Sequence, residues 1–370
     1  MYCRFENRIN HTALELSGLE RKLYAYSAAE LPAIWQHLHE AQQQGYWVAL
    51  VLNYELGAHL LKQPWAKPST TPLLSAYIMR TAEHTQPWPA PERPVELMAR
   101  ALKNKKAYLA DIAKIQQGIT AGEYYQVNYS IPIAIESAAA PKDLYQAIAH
   151  QHPVAYGAYI ADNQRHLLSF SPELFVQRTG STLVVKPMKG TTARHTNPLL
   201  DQQAAYDLRH SAKDVAENIM IVDLLRNDLG KIAATGSVKV TSLLDVEAYP
   251  SVWTMTSTIQ AQSAHNDLAT LLTALFPCGS ITGTPKQAAM QCIHELEQRD
   301  RGIYCGSIGW LAPNGDLQLN VAIRTIEYLD QHHTQFGVGG AIVIDSDAEQ
   351  EWQECLWKAR VLGTPVHFEE

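Results

Sequence analysis

The order of its apolar segments limits what this chain can fold into more than any other feature. Helical apolar spacing runs over 30–44, 105–118, 142–150, 212–229, 285–297 and 348–362. Between these helices lie β-branched and aromatic runs near 46–52, 123–136, 154–160, 166–170, 173–178, 182–187, 303–311, 317–326 and 335–344. Strands and helices come in blocks rather than in one-to-one alternation, which predicts an α+β fold with largely antiparallel sheets. Pro64, Pro68, Pro72, Pro87, Pro89, Pro91 and Pro94 punctuate one stretch and are expected to interrupt regular structure there. They place a seam near residue 95, dividing a subdomain over 1–95 from a larger domain over 96–370.

Composition removes several function classes. With 46% hydrophobic and 18% charged residues, the 370-residue chain can bury a large core and is not disordered. Thirty Lys and Arg against 37 Asp and Glu, with no basic run, lack the electrostatic footprint of a nucleic-acid binder. No apolar stretch of about 18 residues and no signal-peptide plan is present, so a soluble cytoplasmic chain without a membrane partner is expected. Five cysteines without a C-x-x-C pair predict reduced, buried thiols. The histidines form no metal-binding spacing, and His332-His333 reads as an exposed turn.

Several segments carry candidate chemistry. Asp214 with Glu217, and Glu351 with Glu354, stand at i,i+3, which puts each pair on one helix face. Acids are ordinary in a first turn, yet two such pairs that converge would suit a hard cation such as Mg²⁺. Gly279-Ser280-Ile281-Thr282-Gly283 leads into a helix and fits either a plain cap or a small carboxylate ligand; its spacing fails the phosphate-loop pattern. Lys189 is placed where an apolar strand runs out into a turn, either solvated or, facing a dry pocket, a candidate amine nucleophile. Glu173, between Pro172 and Leu174-Phe175, is either an ordinary loop acid or, in surroundings that raise a carboxyl pKa, a candidate catalyst. Arg324, inside an apolar strand, needs an anion, either a ligand carboxylate or an internal partner.

Together these motifs resemble the chorismate-utilising enzymes over about 106–362. The resemblance is carried by Gly122-Glu123-Tyr124-Tyr125-Gln126-Val127-Asn128, Ser171-Pro172-Glu173, Lys186-Pro187-Met188-Lys189-Gly190-Thr191, Glu217-Asn218 with Arg226-Asn227-Asp228, Tyr304-Cys305-Gly306, Ile323-Arg324-Thr325, Gly337-Val338-Gly339-Gly340 and Glu351-Trp352-Gln353-Glu354. It implies an anthranilate-synthase-like α+β sandwich of two interleaved subdomains flanked by helices, with the catalytic, chorismate-binding domain over 96–370. Within the family, a lysine at position 189 resembles the branch that aminates chorismate at C4, whereas anthranilate-forming relatives carry alanine there. Lysine would attack C2 as the C4 oxygen leaves, and ammonia would then enter at C4. Glu173 is the implied acid and base. Gln126 stands where water-adding relatives carry a lysine, so water activation is not expected. Glu217 and Glu354 are the implied Mg²⁺ ligands, with Asp214 and Glu351 beside them, and Gln126, Ser280, Tyr304, Arg324 and the backbone of Gly339 and Gly340 the implied substrate contacts.

The chain has no G-x-C-x-G nucleophile of a glutamine amidotransferase, so a separate glutaminase is expected to supply ammonia. Anthranilate formation, or chorismate binding without turnover, are the alternatives. The sequence departs from its relatives at Thr254, where histidine is frequent, and at Thr284, where alanine is commoner. No Leu-Glu-Ser segment is found, and feedback inhibition by tryptophan is not expected.

Overall fold

Grouped strands pair with whatever neighbour the ladder offers, and here they form one continuous, mostly antiparallel ribbon. The computed structural model describes residues 1–163, 165–249, 252–265, 267–330 and 334–368; the His332-His333 turn lies outside them. The chain begins β1 (Tyr2–Asn7), β2 (Thr12–Ala25), α1 (Leu31–Gln43), β3 (Trp47–Leu52), α2 (Leu56–Leu60), β4 (Leu74–Thr85), β5 (Met98–Ala101) and α3 (Lys105–Thr120). It continues through β6 (Gln126–Glu136), α4 (Pro141–Gln151), β7 (Tyr156–Asp162), β8 (Arg165–Ser171), β9 (Leu174–Thr179), β10 (Thr182–Lys186), β11 (Met188–Ala193), α5 (Pro198–His210) and α6 (Ala212–Gly230). Then follow β12 (Lys239–Ala248), β13 (Val252–Gln262), α7 (Leu268–Leu275), β14 (Gly283–Thr284), α8 (Lys286–Glu297), β15 (Ser307–Leu311), β16 (Leu317–Asn320), β17 (Thr325–Tyr328), β18 (Thr334–Ile342), α9 (Ala348–Ala359) and β19 (Val366–His367).

In pairing order the ribbon reads β19-β5-β6-β18-β17-β8-β7-β1-β2-β4-β3-β15-β16-β9-β10-β13, with β14 beside β6 and with β11 and β12 beside β13. Among the described pairings only β5–β19 is parallel. The four strands before residue 95 occupy the middle of the ribbon, β1 against β7 and β3 against β15. Period-two alternation then sorts their side chains into two cores. Phe5, Leu14, Val51, Met79 and Ile160 close around a small one, while Leu50, Leu52, Ala76, Ile78 and Leu168 face a large one shared with the helices. All five cysteines are free and buried. No helix among the described residues is long and apolar enough to cross a membrane.

Three local expectations are corrected. The proline-rich stretch contains a regular strand, β4, because its twelve residues fall between Pro72 and Pro87 and contain no proline themselves. The run at 317–326 is two strands, β16 and β17, interrupted where Arg324 takes a left-handed backbone with φ 50°. Lys189 lies within β11 rather than in a turn, because Pro187 ends β10 and the chain resumes pairing against β13.

A buried ion cluster holds the proline-rich connection to β1. The Glu6 carboxylate accepts from Arg4 and Arg8 at 2.8 Å, from the Trp88 backbone N–H at 2.9 Å and from the Tyr145 hydroxyl at 3.3 Å. Removing that carboxylate leaves the Arg4 guanidinium, 2% exposed, short of its inner partner. Glu6→Ala is therefore expected to lower the unfolding free energy by roughly 3 kcal/mol or more, read from urea denaturation. A loss under 1 kcal/mol would show the cluster to be dispensable.

Candidate active site

A cavity of about 500 Å³ opens between β11, the N-terminal part of α6, β18, α9 and the loop before α8. Lys189 reaches its wall from a bulged part of β11, where pairing with β13 slips between Met188 and Thr191. The bulge depends on Gly190, with φ 80°, since a Cβ there would lie 2.8 Å from Asp214 Oδ1. Thr254, on β13 opposite, is fully buried and donates its hydroxyl to the Gly190 carbonyl at 3.1 Å. It thereby fixes the backbone that carries Lys189.

Glu173 sits at the cavity's dry end, 3% exposed, where β8 gives way to β9. Burial raises its pKa to about 7, against the pull of the Ser280 hydroxyl, which donates to it at 2.7 Å, and of the Lys189 ammonium. Ser280 also lines the cavity, but its hydroxyl is already committed to Glu173.

The two acidic pairs meet in this cavity. Ser211 caps α6 by accepting from the Asp214 N–H, and Asp347 caps α9 by accepting from the Gln350 N–H. Capped in this way, α6 and α9 turn Asp214, Glu217, Glu351 and Glu354 to the same space. Burial raises Glu217, and Asp214 and Glu351 push the same way, while Lys189 and Lys213 oppose them. Burial also acts to raise Glu354, but the Lys358 ammonium, 2.6 Å away, outweighs it and holds the carboxyl below its usual range. Glu351 accepts from Lys213 at 3.3 Å and from Ser346 at 2.8 Å. Carboxylate oxygens alone are the donor set a hard cation prefers, so the chemistry fits Mg²⁺. In this arrangement lysines take two of the carboxylates, Glu351 and Glu354, and no three His, Cys, Asp or Glu groups among the described residues lie close enough to hold an ion.

Arg324 and Tyr304 line the opposite wall. Among the described residues Arg324 has no ion-pair partner, so the alternative of an internal salt bridge falls away, and burial pulls its pKa down. The Tyr304 ring fits only because residue 337 is glycine; a Cβ there would stand 2.3 Å from the ring. Gly339 lines the cavity, and its carbonyl accepts from Lys358 at 2.7 Å. Gly340 lies behind the wall, and Gln126 is wholly buried on β6 and outside the cavity lining. Lining residues to which the sequence reading gave no role include Lys213, Lys358 and Asn128. Lys358 was findable as the i+4 partner of Glu354, and Asn128 as the residue two beyond Gln126 on one strand face. Lys213 was findable in the same way, four residues before Glu217 on α6.

Comparison with known proteins follows the same lines. The family described as chorismate binding enzyme matches residues 5–363. The chain is 36% identical over 260 residues to aminodeoxychorismate synthase component 1 of Bacillus subtilis, covering 70% of this chain and 55% of that protein. It is 36% identical over 262 residues to anthranilate synthase component 1 of Streptomyces coelicolor, covering 70% and 51%. It thus spans about half the length of these curated relatives. Its fold is similar to that of anthranilate synthase component I from Streptococcus pneumoniae, with a TM-score of 0.83, 22% identity, and coverage of 96% of this chain and 92% of that one.

The Glu173 shift has a thermodynamic consequence with a definite sign. Its carboxyl ionises less readily folded than unfolded, so stability is lost as pH rises from about 4.5 through about 7. Glu173→Gln cannot ionise, and is expected to be more stable than the parent at pH 8 by on the order of 3 kcal/mol, with the difference fading near pH 5. Thermal unfolding at the two pH values checks this, and an equal difference at both would refute the assigned shift.

Proposed function

We propose that this chain, which belongs to the chorismate binding enzyme family, converts chorismate and ammonia into 4-amino-4-deoxychorismate and water. One observation carries the reading: Lys189 and the near-neutral carboxyl of Glu173 face the same cavity, opposite Arg324, which has no ion-pair partner among the described residues. Lys189 first passes an ammonium proton to Glu173; its free amine then forms a bond to C2 as the C4–O bond breaks, and Glu173 gives that proton to the departing oxygen, so that it leaves as water. The carboxylate then takes the proton shed by the new C–N bond. Ammonia attacks C4, the C2–lysine bond breaks, and proton exchange through Glu173 restores the free amine of Lys189. Two displacements account for retained configuration at C4.

Glu217 and Glu354 would hold Mg²⁺, with Asp214 and Glu351 beside them, and the ion would supply positive charge for a substrate carboxylate. Arg324 suits the other carboxylate, its guanidinium fork matching two oxygens, with Tyr304 flanking it. A separate glutaminase is the proposed ammonia source, and the component 1 names of the relatives support a two-component arrangement.

Anthranilate formation is the competing reading because relatives of equal identity carry that name. Lys189 weighs against it. Incubation with chorismate, ammonium and Mg²⁺ is expected to give aminodeoxychorismate and no anthranilate fluorescence in the absence of a lyase. Lys189→Ala should lower the rate by at least 100-fold while chorismate binding, followed by calorimetry, changes little. Activity within a few-fold of the parent would defeat the covalent route.

A further inference from the structure

Ser280 has one hydroxyl proton, and that proton is given to Glu173 at 2.7 Å. The Cys278 sulfur lies 3.2 Å from the same hydroxyl oxygen. With the serine proton committed, the thiol is the donor in this contact and the serine oxygen the acceptor. All three residues are buried. The loop that carries two of them is held from several directions: the Thr282 hydroxyl donates to the Cys278 carbonyl, Arg301 donates to the Ile281 carbonyl at 3.3 Å, and Gly279 packs so closely on α6 that a Cβ there would lie 2.5 Å from Leu224. Thiol, hydroxyl and carboxyl thus stand in one fixed chain of hydrogen bonds.

We propose that Cys278 and Ser280 form a hydrogen-bond relay that sets how readily Glu173 gives and takes its proton, both acting as positioning residues. The inference deepens the amination reading above and rests on it. A hydroxyl that accepts one hydrogen bond becomes a stronger donor in the next, because each bond polarises its neighbour. The thiol therefore strengthens the Ser280 bond to Glu173, and a bond donated to a carboxylate favours the ionised form. No proton has to travel along the relay. Burial first, and the Glu173 charge second, push the Cys278 thiol up to about 12, so it keeps its proton and remains a donor. Lys189 from β11 and Lys358 from α9 also act on Glu173 and favour its ionised form, while Lys286 from α8 acts on the thiol. Burial opposes the groups around Glu173 and holds it at about 7. A small change in donor strength then acts on a carboxyl near the middle of its titration at neutral pH.

With Lys189 charged, Glu173 must be ionised to accept its proton, so turnover of chorismate falls on the acid side as Glu173 becomes protonated. Removing a donor raises the Glu173 pKa and moves this acid limb to higher pH. Ser280→Ala is expected to move it by about one pH unit and Cys278→Ala by about half a unit. Cys278→Ser restores a donor and should leave the limb near the parent's position, and Cys278→Ala added to Ser280→Ala should move it no further. A cysteine that only fills space would leave the limb unmoved or move it equally in both backgrounds, and either result overturns the proposal. A second readout does not depend on activity. The parent loses stability as pH rises from about 4.5 through about 7, and a higher Glu173 pKa enlarges that loss. Between about pH 5 and about pH 8 the melting temperature of Cys278→Ala should therefore fall further than the parent's, while an equal offset at both pH values refutes the relay. Should the parent form no amine product, the amination reading fails separately and the melting comparison alone decides.

Discussion

Four carboxylates from α6 and α9 face one another across a single cavity, and the rest of the site depends on what keeps them there. Like charges gathered in a partly dry space repel one another more strongly than they would in water, and a domain is held folded by only roughly 5–15 kcal/mol. Lys213 on Glu351 and Lys358 on Glu354 offset that repulsion from within the same two helices. Lys189 adds to the balance from β11, favouring ionised Glu217 and Glu354. A residue positioned for chemistry thus also contributes to holding the acids in place.

The formal charges of the lining bear on what the cavity can take. Lys189, Lys213, Lys358 and Arg324 cancel Asp214, Glu217, Glu351 and Glu354, leaving Glu173, which is half-ionised near pH 7. A ligand with two carboxylates would bring an excess of negative charge into a partly dry space, and burial of an uncompensated charge is costly. A divalent cation entering with it restores neutrality. In the proposed reaction the acidic side of the cavity would take that cation, and Arg324 would hold the carboxylate at the other end.

Much of this was legible in the sequence because it depends on local patterns. The i,i+3 spacing of Asp214 with Glu217, and of Glu351 with Glu354, fixes which face of each helix is acidic, and capping by Ser211 and Asp347 follows from residue type. What the spacing could not give was that the two faces meet, since that depends on β18, α9, β11 and α6 being brought together through distant pairings. Arg324 was read as part of a strand because Val321-Ala322-Ile323 looks continuous with Thr325-Ile326; the left-handed turn that aims it at the cavity has no signature in an arginine. β4 was hidden by the prolines on either side of it. Lys189 was placed at the end of a strand, where its own short strand begins after Pro187.

Three glutamates with desolvated carboxyls show why a shifted pKa does not by itself identify a catalytic group. Glu297 is buried, yet Arg301 and Arg299 outweigh the desolvation and hold it low; it bonds Arg301 at 2.7 Å and the Ser130 N–H at 2.9 Å, and its charge is spent on structure. Glu55 is raised to about 7 by burial and by Asp300, much as Glu173 is raised, but its carboxylate accepts the Arg301 backbone N–H at 2.6 Å and it lies off the cavity. Glu173 alone among the three combines a carboxyl tuned to neutrality with a cavity wall and an amine opposite. Ser280 orients it without ionising it, and among the described residues no cation forms an ion pair with it, so its proton can be given and taken back near pH 7. What separates the acid from its look-alikes is the space it faces.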